Sequence, residues 1–406
     1  MAGEANNFLP RSFSALRHKN FRLFWFGQII SLTGTWVQNV ARSWLVLQLA
    51  NSPFILGLVA FIGSVPILLF SLLGGVFADR VNKRNLILFT QSSLTILAFI
   101  LAGLVYFKLI KVWQILILEA LSGLAFAFDA PGRQSFVKEL VEREDILNAV
   151  ALNSFIFNLA RMIGPAVSGL LITAVGVATC FFVNGLSFLP VIIGLLFIKT
   201  QSLSPEKGSY TQDIKNAFSY ILANKEILFL ILMVGFLSVF GVSFLTLIPV
   251  YARDILKVGV KGYGAMMSAV GFGSLFGAAI LAVQGKNLRR GKLVLLASFS
   301  FAILIILFSC QRVFLISLFL LFGLGLCTIM QNVTVNTVIQ EVCPDHLRGR
   351  VMSFYVMMFM GMFPIGSLFA GAIAQRLGAP IATATGGIII LLWTLYVSGQ
   401  KLLTAL

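Results

Sequence analysis

Residues 74–84 read Gly-Gly-Val-Phe-Ala-Asp-Arg-Val-Asn-Lys-Arg, and they contain the end of one long apolar run, 54–78, and the polar link to the next, 86–107. Each run is long enough to cross the roughly 30 Å hydrocarbon core of a bilayer, since a helix rises about 1.5 Å per residue. The link between the runs concentrates one acid and three bases, which are costly in lipid. This stretch therefore predicts two membrane helices joined by a short polar loop.

The same alternation continues along the whole chain of 406 residues, of which 59% are hydrophobic and only 11% are charged. An average soluble domain has about 25% charged residues, so lipid must be the solvent for most of this chain. The spanning runs lie at residues 22–49, 54–78, 86–107, 113–131, 148–174, 177–198, 226–251, 262–284, 293–310, 313–337, 351–375 and 379–399. We therefore predict an all-α integral membrane protein with about twelve transmembrane helices.

The basic residues predict the orientation of these helices. The chain has 30 Lys and Arg residues against 14 Asp and Glu residues, a formal net charge of +16. The bases lie between the apolar runs and not on a soluble domain, so we expect no nucleic-acid partner. With the N-terminus placed in the cytoplasm, most of them fall in cytoplasmic segments, as the positive-inside rule requires. Both termini are therefore predicted to be cytoplasmic.

Residues that build metal sites and enzyme active sites are scarce. The four cysteines are far apart and have no Cys-x-x-Cys spacing, and His18 and His346 are the two histidines. No nucleophile–base pair and no Gly-x-x-x-x-Gly-Lys-Ser/Thr phosphate-binding motif stands out. We therefore expect no enzyme activity, no metal and no cofactor.

The two halves of the chain resemble each other at an offset of 200 residues. Gly123-Leu124, for example, matches Gly323-Leu324. This similarity predicts a six-helix half at 1–200 and another at 226–406, arranged as two pseudo-repeats around a central cavity.

A cytoplasmic linker is predicted between the halves, at 201–225. Ser204-Pro205 breaks the chain, and Thr211 caps a segment whose apolar residues follow at helical spacing. These residues are Ile214, Ala217, Phe218, Ile221 and Leu222. Such an amphipathic helix is expected to lie in the membrane interface, either as a plain linker or with a regulatory role.

The loop at 74–84 resembles the G-x-x-x-D-R-x-G-R-R loop of the major facilitator superfamily. Gly75 is expected to allow close helix approach. Asn82 replaces the usual Gly, and Asn tolerates left-handed backbone. The resemblance implies that Asp79 faces the start of helix 11 and steadies the outward-facing state. The bases of this signature loop and inner gate are Arg80, Lys83 and Arg84.

The predicted cytoplasmic end of helix 4 reads Asp-Ala-Pro-Gly-Arg-Gln at 129–134. It resembles the exporter branch of the superfamily that contains enterobactin exporters and macrolide-efflux pumps. Two further stretches fit that branch, residues 19–25 and 182–188. We interpret Asp129 as a partner for Arg80 or Arg84 in an inner charge cluster that also holds Arg133. A proton-carrying role for Asp129 is the alternative.

Helix 5 carries Ala-Arg-Met-Ile-Gly-Pro-Ala-Val-Ser-Gly at 160–169. This resembles the G-x-x-x-G-P-x-x-G-G signature of superfamily antiporters. The matching residues are Gly164, Pro165 and Gly169. Ala160 and Ser168 replace two glycines but stay small, so a neighbouring helix can still pack closely. Any packed membrane helix without antiport is the alternative.

Three ionisable residues fall inside predicted spans of the first half, and each is a candidate for proton coupling because buried charge in lipid is costly. They are Arg42, Glu119 and Arg161. Helix 1 should leave the membrane near Leu49 and helix 4 should enter near Val112. Arg42 and Glu119 would then both lie about 10 Å below the outer surface, where they could pair. Arg161 would lie near mid-membrane.

Polar side chains form a stripe on each of two predicted helices. Helix 1 carries Gln28, Thr35, Gln38 and Arg42 on one face, and helix 5 carries Ser154, Asn158 and Arg161. Gln28, Gln38 and Asn158 are candidates for lining a wet cavity. Hydrogen bonding between helices, without contact to a substrate, is the alternative.

These features predict a secondary-active transporter, and the resemblance implies a proton-coupled exporter of a small amphipathic molecule such as a drug or siderophore. A lipid flippase or an uncoupled facilitator is the alternative, and a non-transporting membrane receptor or scaffold is the hypothesis from another class. The expected partners are a small-molecule substrate, protons and the lipid bilayer. We expect a multi-pass protein of the plasma membrane, in bacteria the inner membrane, and favour a monomer.

Overall fold

The computed structural model describes residues 11–198, 218–284 and 289–400, and within these ranges it is helical without any strand. Twelve long helices follow one another there. They are α1 Lys19–Ala50, α2 Pro53–Arg80, α3 Lys83–Tyr106, α4 Val112–Glu139, α5 Ile146–Val175, α6 Val177–Phe197, α7 Lys225–Ile255, α8 Gly259–Gln284, α9 Arg290–Cys310, α10 Phe314–Val342, α11 Leu347–Leu377 and α12 Ala379–Gly399.

Eleven of these helices, all except α1, are long and apolar enough to span a bilayer. The predicted all-α membrane fold is therefore confirmed. Helix α1 has 32 residues and is long enough to cross, but its polar stripe lowers its mean hydropathy. Most predicted runs agree with the helices to within five residues; the run at 148–174, for example, corresponds to Ile146–Val175, but α4 continues to Glu139, eight residues beyond the predicted run at 113–131.

Three helices are interrupted near prolines, which lack the backbone N–H that a regular helix needs. Helix α11 widens into a π-helical turn over Met357–Gly361, just before Pro364. Helix α6 breaks at Phe188, before Pro190. Helix α7 contains π and 3-10 turns on both sides of Pro249. These breaks bend the helices locally without ending them.

The described residues pack as two compact units. The first unit comprises the described residues up to Arg42 and those from Val65 to Ile198. The second comprises Ser43–Ser64 and the described residues from 218 onward. The boundary thus falls inside α1 and inside α2. The division at 201–225 stays a prediction, because residues 201–217 lie outside the described ranges, while 218–223 are helical and α7 begins at Lys225.

The core of the first unit joins the starts of α1 and α5 to the end of α4. The rings of Phe24 and Phe136 meet edge to face with centroids 5.3 Å apart. Trp25 Nε1 donates a hydrogen bond to the carbonyl of Leu152 at 3.2 Å, which satisfies the one polar atom of this buried indole. These contacts fix α1 against α4 and α5, the helices that carry the candidate site.

The second unit is held together by close helix approach. An added Cβ at Gly273 of α8 would lie 1.9 Å from the carbonyl oxygen of Phe322, and one at Gly325 of α10 would lie 2.1 Å from that of Val270. No larger residue fits at either position without moving the helices apart. Small residues give membrane helices their tightest packing, since lipid offers no hydrophobic drive to associate.

Within the second unit, Arg253 of α7 binds the connection between α1 and α2. Its Nη1 donates to the carbonyl of Leu47 at 3.0 Å, and its Nη2 donates to the side chain of Asn51. Asn51 has a φ of 45°, a left-handed conformation that Asn tolerates. Next to it, Ser52 Oγ donates to Gln375 Oε1 at 2.7 Å. The turn is therefore fixed by side chains from α7 and α11.

Candidate functional site

An ion pair joins α1 and α4 in the first unit. Arg42 Nη1 donates to Glu119 Oε2 in a short contact. Glu119 is 5% exposed, and the Arg42 side chain is 20% exposed. The pairing is the one that the estimated depths of the two residues predicted. The ion pair has no net charge, which lowers the free-energy cost of keeping both side chains in the low dielectric of the membrane interior.

Arg161 of α5 has a different environment. Its guanidinium carbon lies 5.8 Å from the centroid of the Trp36 ring, a cation–π contact. The side chain is half-buried. In the part of the chain that the structure describes, no carboxylate pairs with Arg161. The third predicted charge thus lies apart from the Arg42–Glu119 pair.

The small residues of α5 bring it against α1. An added Cβ at Gly164 would lie 2.5 Å from Trp36 Cβ. Ser168 Oγ donates to the carbonyl of Val37 at 2.9 Å. Two further residues of this motif are buried, Pro165 and Gly169. Close packing at the antiporter-like motif is therefore present, and Ser168 adds a hydrogen bond that glycine could not make.

Side chains of the two polar stripes make hydrogen bonds to other groups of the protein. Gln28 Oε1 accepts from Arg133 Nη1 at 2.9 Å, and Gln38 Oε1 accepts from Asn184 Nδ2 at 2.8 Å. Asn158 Nδ2 donates to a backbone carbonyl one turn earlier in its own helix. Helix-to-helix bonding thus accounts for Gln28 and Gln38 in this structure, and a cavity-lining role for the three residues remains a prediction.

Asp129 of α4 is completely buried, with 0% exposed. Its Oδ1 accepts from Thr90 Oγ1 at 2.8 Å and from Gln91 Nε2 at 2.9 Å. Its Oδ2 lies 2.5 Å from Arg133 Nη2, one turn later in the same helix. The i,i+4 spacing of this acid and base was a readable signal in the sequence. The role of Thr90 and Gln91 was missed, because no local pattern tells which side of α3 meets α4.

The predicted pairing of Asp129 with Arg80 or Arg84 is wrong. Arg84 instead donates from Nε to the carbonyl of Leu195 at 2.5 Å and from Nη2 to that of Leu196 at 3.1 Å. Those carbonyls end α6 and carry the negative end of its dipole, which attracts a cation. Arg84 lies nearly two turns from the part of α3 that meets Asp129. Arg80 is exposed.

The close contact of the signature loop is made by Gly74 and not by Gly75, which corrects the prediction. An added Cβ at Gly74 would lie 2.3 Å from the carbonyl oxygen of Ala127 in α4, whereas one at Gly75 would meet nothing within 4 Å. Neighbouring helix positions differ by about 100°, so one residue decides which glycine faces α4. Asn82 also differs from expectation. Its φ is −65°, and its side chain caps α3 by accepting from the N–H of Asn85 at 3.2 Å.

Lys83 Nζ donates to Glu139 Oε1 at 2.6 Å, and both side chains are largely buried. This pair ties the start of α3 to the end of α4. Asp79 belongs to the last turn of α2, but its side chain lies outside what the structure describes. Its implied contact with helix 11 therefore remains a prediction. Across the described ranges, no three His, Cys, Asp or Glu side chains converge as metal ligands would.

The sequence is similar to a family and to individual membrane transporters over most of its length. Residues 11–404 match a family described as "Transmembrane secretion effector". The staphyloferrin A transporter of Staphylococcus aureus is 28% identical, with 88% of this chain and 90% of that protein covered. The multidrug efflux pump Tap of Mycolicibacterium fortuitum is 24% identical over 88% and 89% of the two chains. The enterobactin exporter EntS of Shigella flexneri is 23% identical over 91% and 88%.

Solved structures agree at the level of the fold. A bacterial homolog of the human lysosomal transporter Spinster, inward-facing and unoccupied, superimposes with a TM-score of 0.72 at 13% identity, covering 98% of this chain and 97% of that one. A D-xylose–proton symporter gives a TM-score of 0.71 at 12% identity, covering 92% and 96%. With the family match spanning nearly the whole chain, this protein belongs to the transmembrane secretion effector family of major facilitator superfamily membrane transporters, which are not enzymes.

Proposed function

We propose that this transporter is a proton-coupled exporter of a small amphipathic molecule that works by alternating access. Relatives named as a siderophore transporter, a siderophore exporter and a multidrug efflux pump support the direction and the substrate class. The observation that carries the proposal is the Arg42–Glu119 ion pair, an acid and a base on different helices. The protein would act in a bacterial inner membrane, as a monomer with both termini in the cytoplasm. Asp79 and the bases of its loop would form the inner gate.

Glu119 is the proton carrier in this proposal. Arg42 and the ionised carboxylate attract each other, and their contact holds α1 and α4 together. When a proton from outside binds Glu119, the pair loses its attraction, and α1 and α4 are free to separate. Closure towards the outside then carries the proton inward, and its release to the cytoplasm restores the pair. Substrate binds the deprotonated, inward-open form.

Proteoliposomes with an imposed pH gradient test this mechanism. Flux is measured for ethidium, a macrolide and carboxyfluorescein, which differ in charge. Glu119→Gln keeps the shape of the side chain but cannot ionise, so it should abolish gradient-driven flux and keep substrate binding. The matched control is Glu341→Gln, which removes an acid paired with Arg290 in the second unit. It should keep the pH dependence of the native protein.

Other results would favour the alternatives. Gradient-driven flux that survives Glu119→Gln would exclude Glu119 as the proton carrier and leave a fixed ion pair. If flux through the native protein does not depend on the pH gradient, the protein is an uncoupled facilitator. If it moves labelled phospholipid and none of the three probes, it is a flippase. Absence of any flux, together with ligand binding, would favour a receptor or scaffold.

A further inference from the structure

Arg161 occupies the most costly position that a membrane helix offers. It lies at the middle of α5, which has 30 residues, so about 20 Å of helix separates it from each end. An arginine side chain near a helix end can reach the interface, but one at mid-helix cannot. The charge of Arg161 must therefore be stabilised by the protein, by water in a cavity or by a bound molecule.

The described acids near the membrane part of the first unit are already engaged. Glu119 pairs with Arg42, and Asp129 pairs with Arg133 and accepts from two further side chains. Across the described ranges, Arg161 makes no ion pair and no side-chain hydrogen bond, and its one ring contact is with Trp36. A ring face offsets only part of the solvation that a guanidinium loses, and within the described ranges none of the five N–H donors bonds to a protein acceptor.

The surroundings of Arg161 are amphipathic. The rings of Trp36 and Phe157 meet edge to face with centroids 6.3 Å apart, and so make an apolar surface beside the cation. Ser154 and Asn158 share the polar face of α5 with Arg161, while Phe155, Ile163 and Leu170 occupy another, exposed face. A cation, a pair of rings and uncharged polar groups thus meet at one place.

We propose that Arg161 and Trp36 form the binding subsite for a carboxylate-bearing amphipathic substrate. The carboxylate accepts two hydrogen bonds from the guanidinium fork, and the apolar body of the molecule packs on Trp36 and Phe157. The ligand thereby supplies the negative charge that no described carboxylate of the first unit brings to Arg161. The inference rests on the proposed transport of small amphipathic molecules and narrows that class to organic acids.

Binding by purified protein in a neutral detergent tests this assignment. The probes are 2-naphthylacetate, its uncharged amide and 2-naphthylethylammonium, which share one apolar body. A charged hydrogen-bonded contact predicts that the native protein binds the acid roughly 10- to 100-fold more tightly than the amide. Arg161→Gln should reduce this ratio to about one while leaving amide binding intact, and Trp36→Ala should weaken both probes. The exposed Arg376→Gln is the matched control and should keep the native ratio.

Arg161→Lys covers the case in which Arg161→Gln does not fold, since it keeps the charge but loses the fork; the acid-to-amide ratio should fall several-fold. An unchanged ratio in the folded Arg161 variants would overturn the proposal and favour Arg161 as an alternating partner of Glu119. Stabilisation by phosphatidylglycerol that depends on Arg161, without preference for the naphthyl acid, would also overturn it, in favour of a lipid phosphate. Because binding is measured without a membrane or gradient, failure of proton coupling does not affect this result.

Discussion

Replacing Gly74 by alanine should destabilise the protein, while the same change at Gly75 should not. The new Cβ at Gly74 would lie 2.3 Å from the Ala127 carbonyl oxygen, where ordinary contacts begin at 3.4 Å, so α2 and α4 must separate by about 1 Å. Overpacking of this kind costs about 1–3 kcal/mol. Both variants gain about 1 kcal/mol of helix propensity from Gly to Ala. That gain cancels in the comparison, so Gly74→Ala should be less stable than Gly75→Ala by about 1–3 kcal/mol.

The assay is thermal unfolding of both variants in one detergent at one heating rate, because unfolding of a membrane protein is often irreversible and its Tm then depends on the scan. The expected gap is a few degrees, with Gly75→Ala at or above the native Tm. Equal Tm values, or a lower Tm for Gly75→Ala, would refute the argument that Gly74 is the packed glycine of this loop.

Three further outcomes are expected. Gly164→Leu should insert normally but lose most transport, because even a Cβ there lies 2.5 Å from a tryptophan of α1; Gly103→Leu, at a site with nothing within 4 Å, should transport normally. A membrane-impermeant maleimide should label intact cells at the exposed Cys310, and Cys310→Ser should remove the label, since the other cysteines are buried and burial raises the pKa of the Cys343 thiol. Labelling that needs permeabilised cells would reverse the predicted orientation. Arg253→Gln should lower the Tm by a few degrees at the same heating rate, because its bonds to the end of α1 are lost.

The fold and one ion pair could be predicted because they depend on quantities that are local in the sequence. Apolar run length gives each helix, and the fixed rise per residue gives the depth of a side chain along it. Depth alone brought Arg42 and Glu119 to the same level, and the structure has them paired. The spacing of Asp129 and Arg133 is equally local.

The rotation of each helix about its axis could not be predicted. Which of Gly74 and Gly75 meets α4, and that Asp129 faces Gln91 and not Arg84, depend on how the first unit packs as a whole. A match to a family motif identifies the type of residue at a position, but it does not show which neighbouring helix that residue faces. The polar stripe of α1 was predicted to line a wet cavity, with hydrogen bonding between helices as the alternative, and the partners of Gln28 and Gln38 became visible only with the neighbouring helices in place.

The polar character of α1 has a consequence for the synthesis of the protein. This helix leaves the ribosome first among the twelve, and it is the one that is not apolar enough to count as a spanning segment by composition. Each polar or charged group near the centre of a nascent helix disfavours its release into lipid. Helix α2 follows after a two-residue turn at 51–52 and is strongly apolar. We therefore expect α1 to remain at the insertion machinery until α2 has been synthesised, and to enter the membrane with α2 as a helical hairpin. A mutation that makes α2 more polar should then impair insertion of both helices.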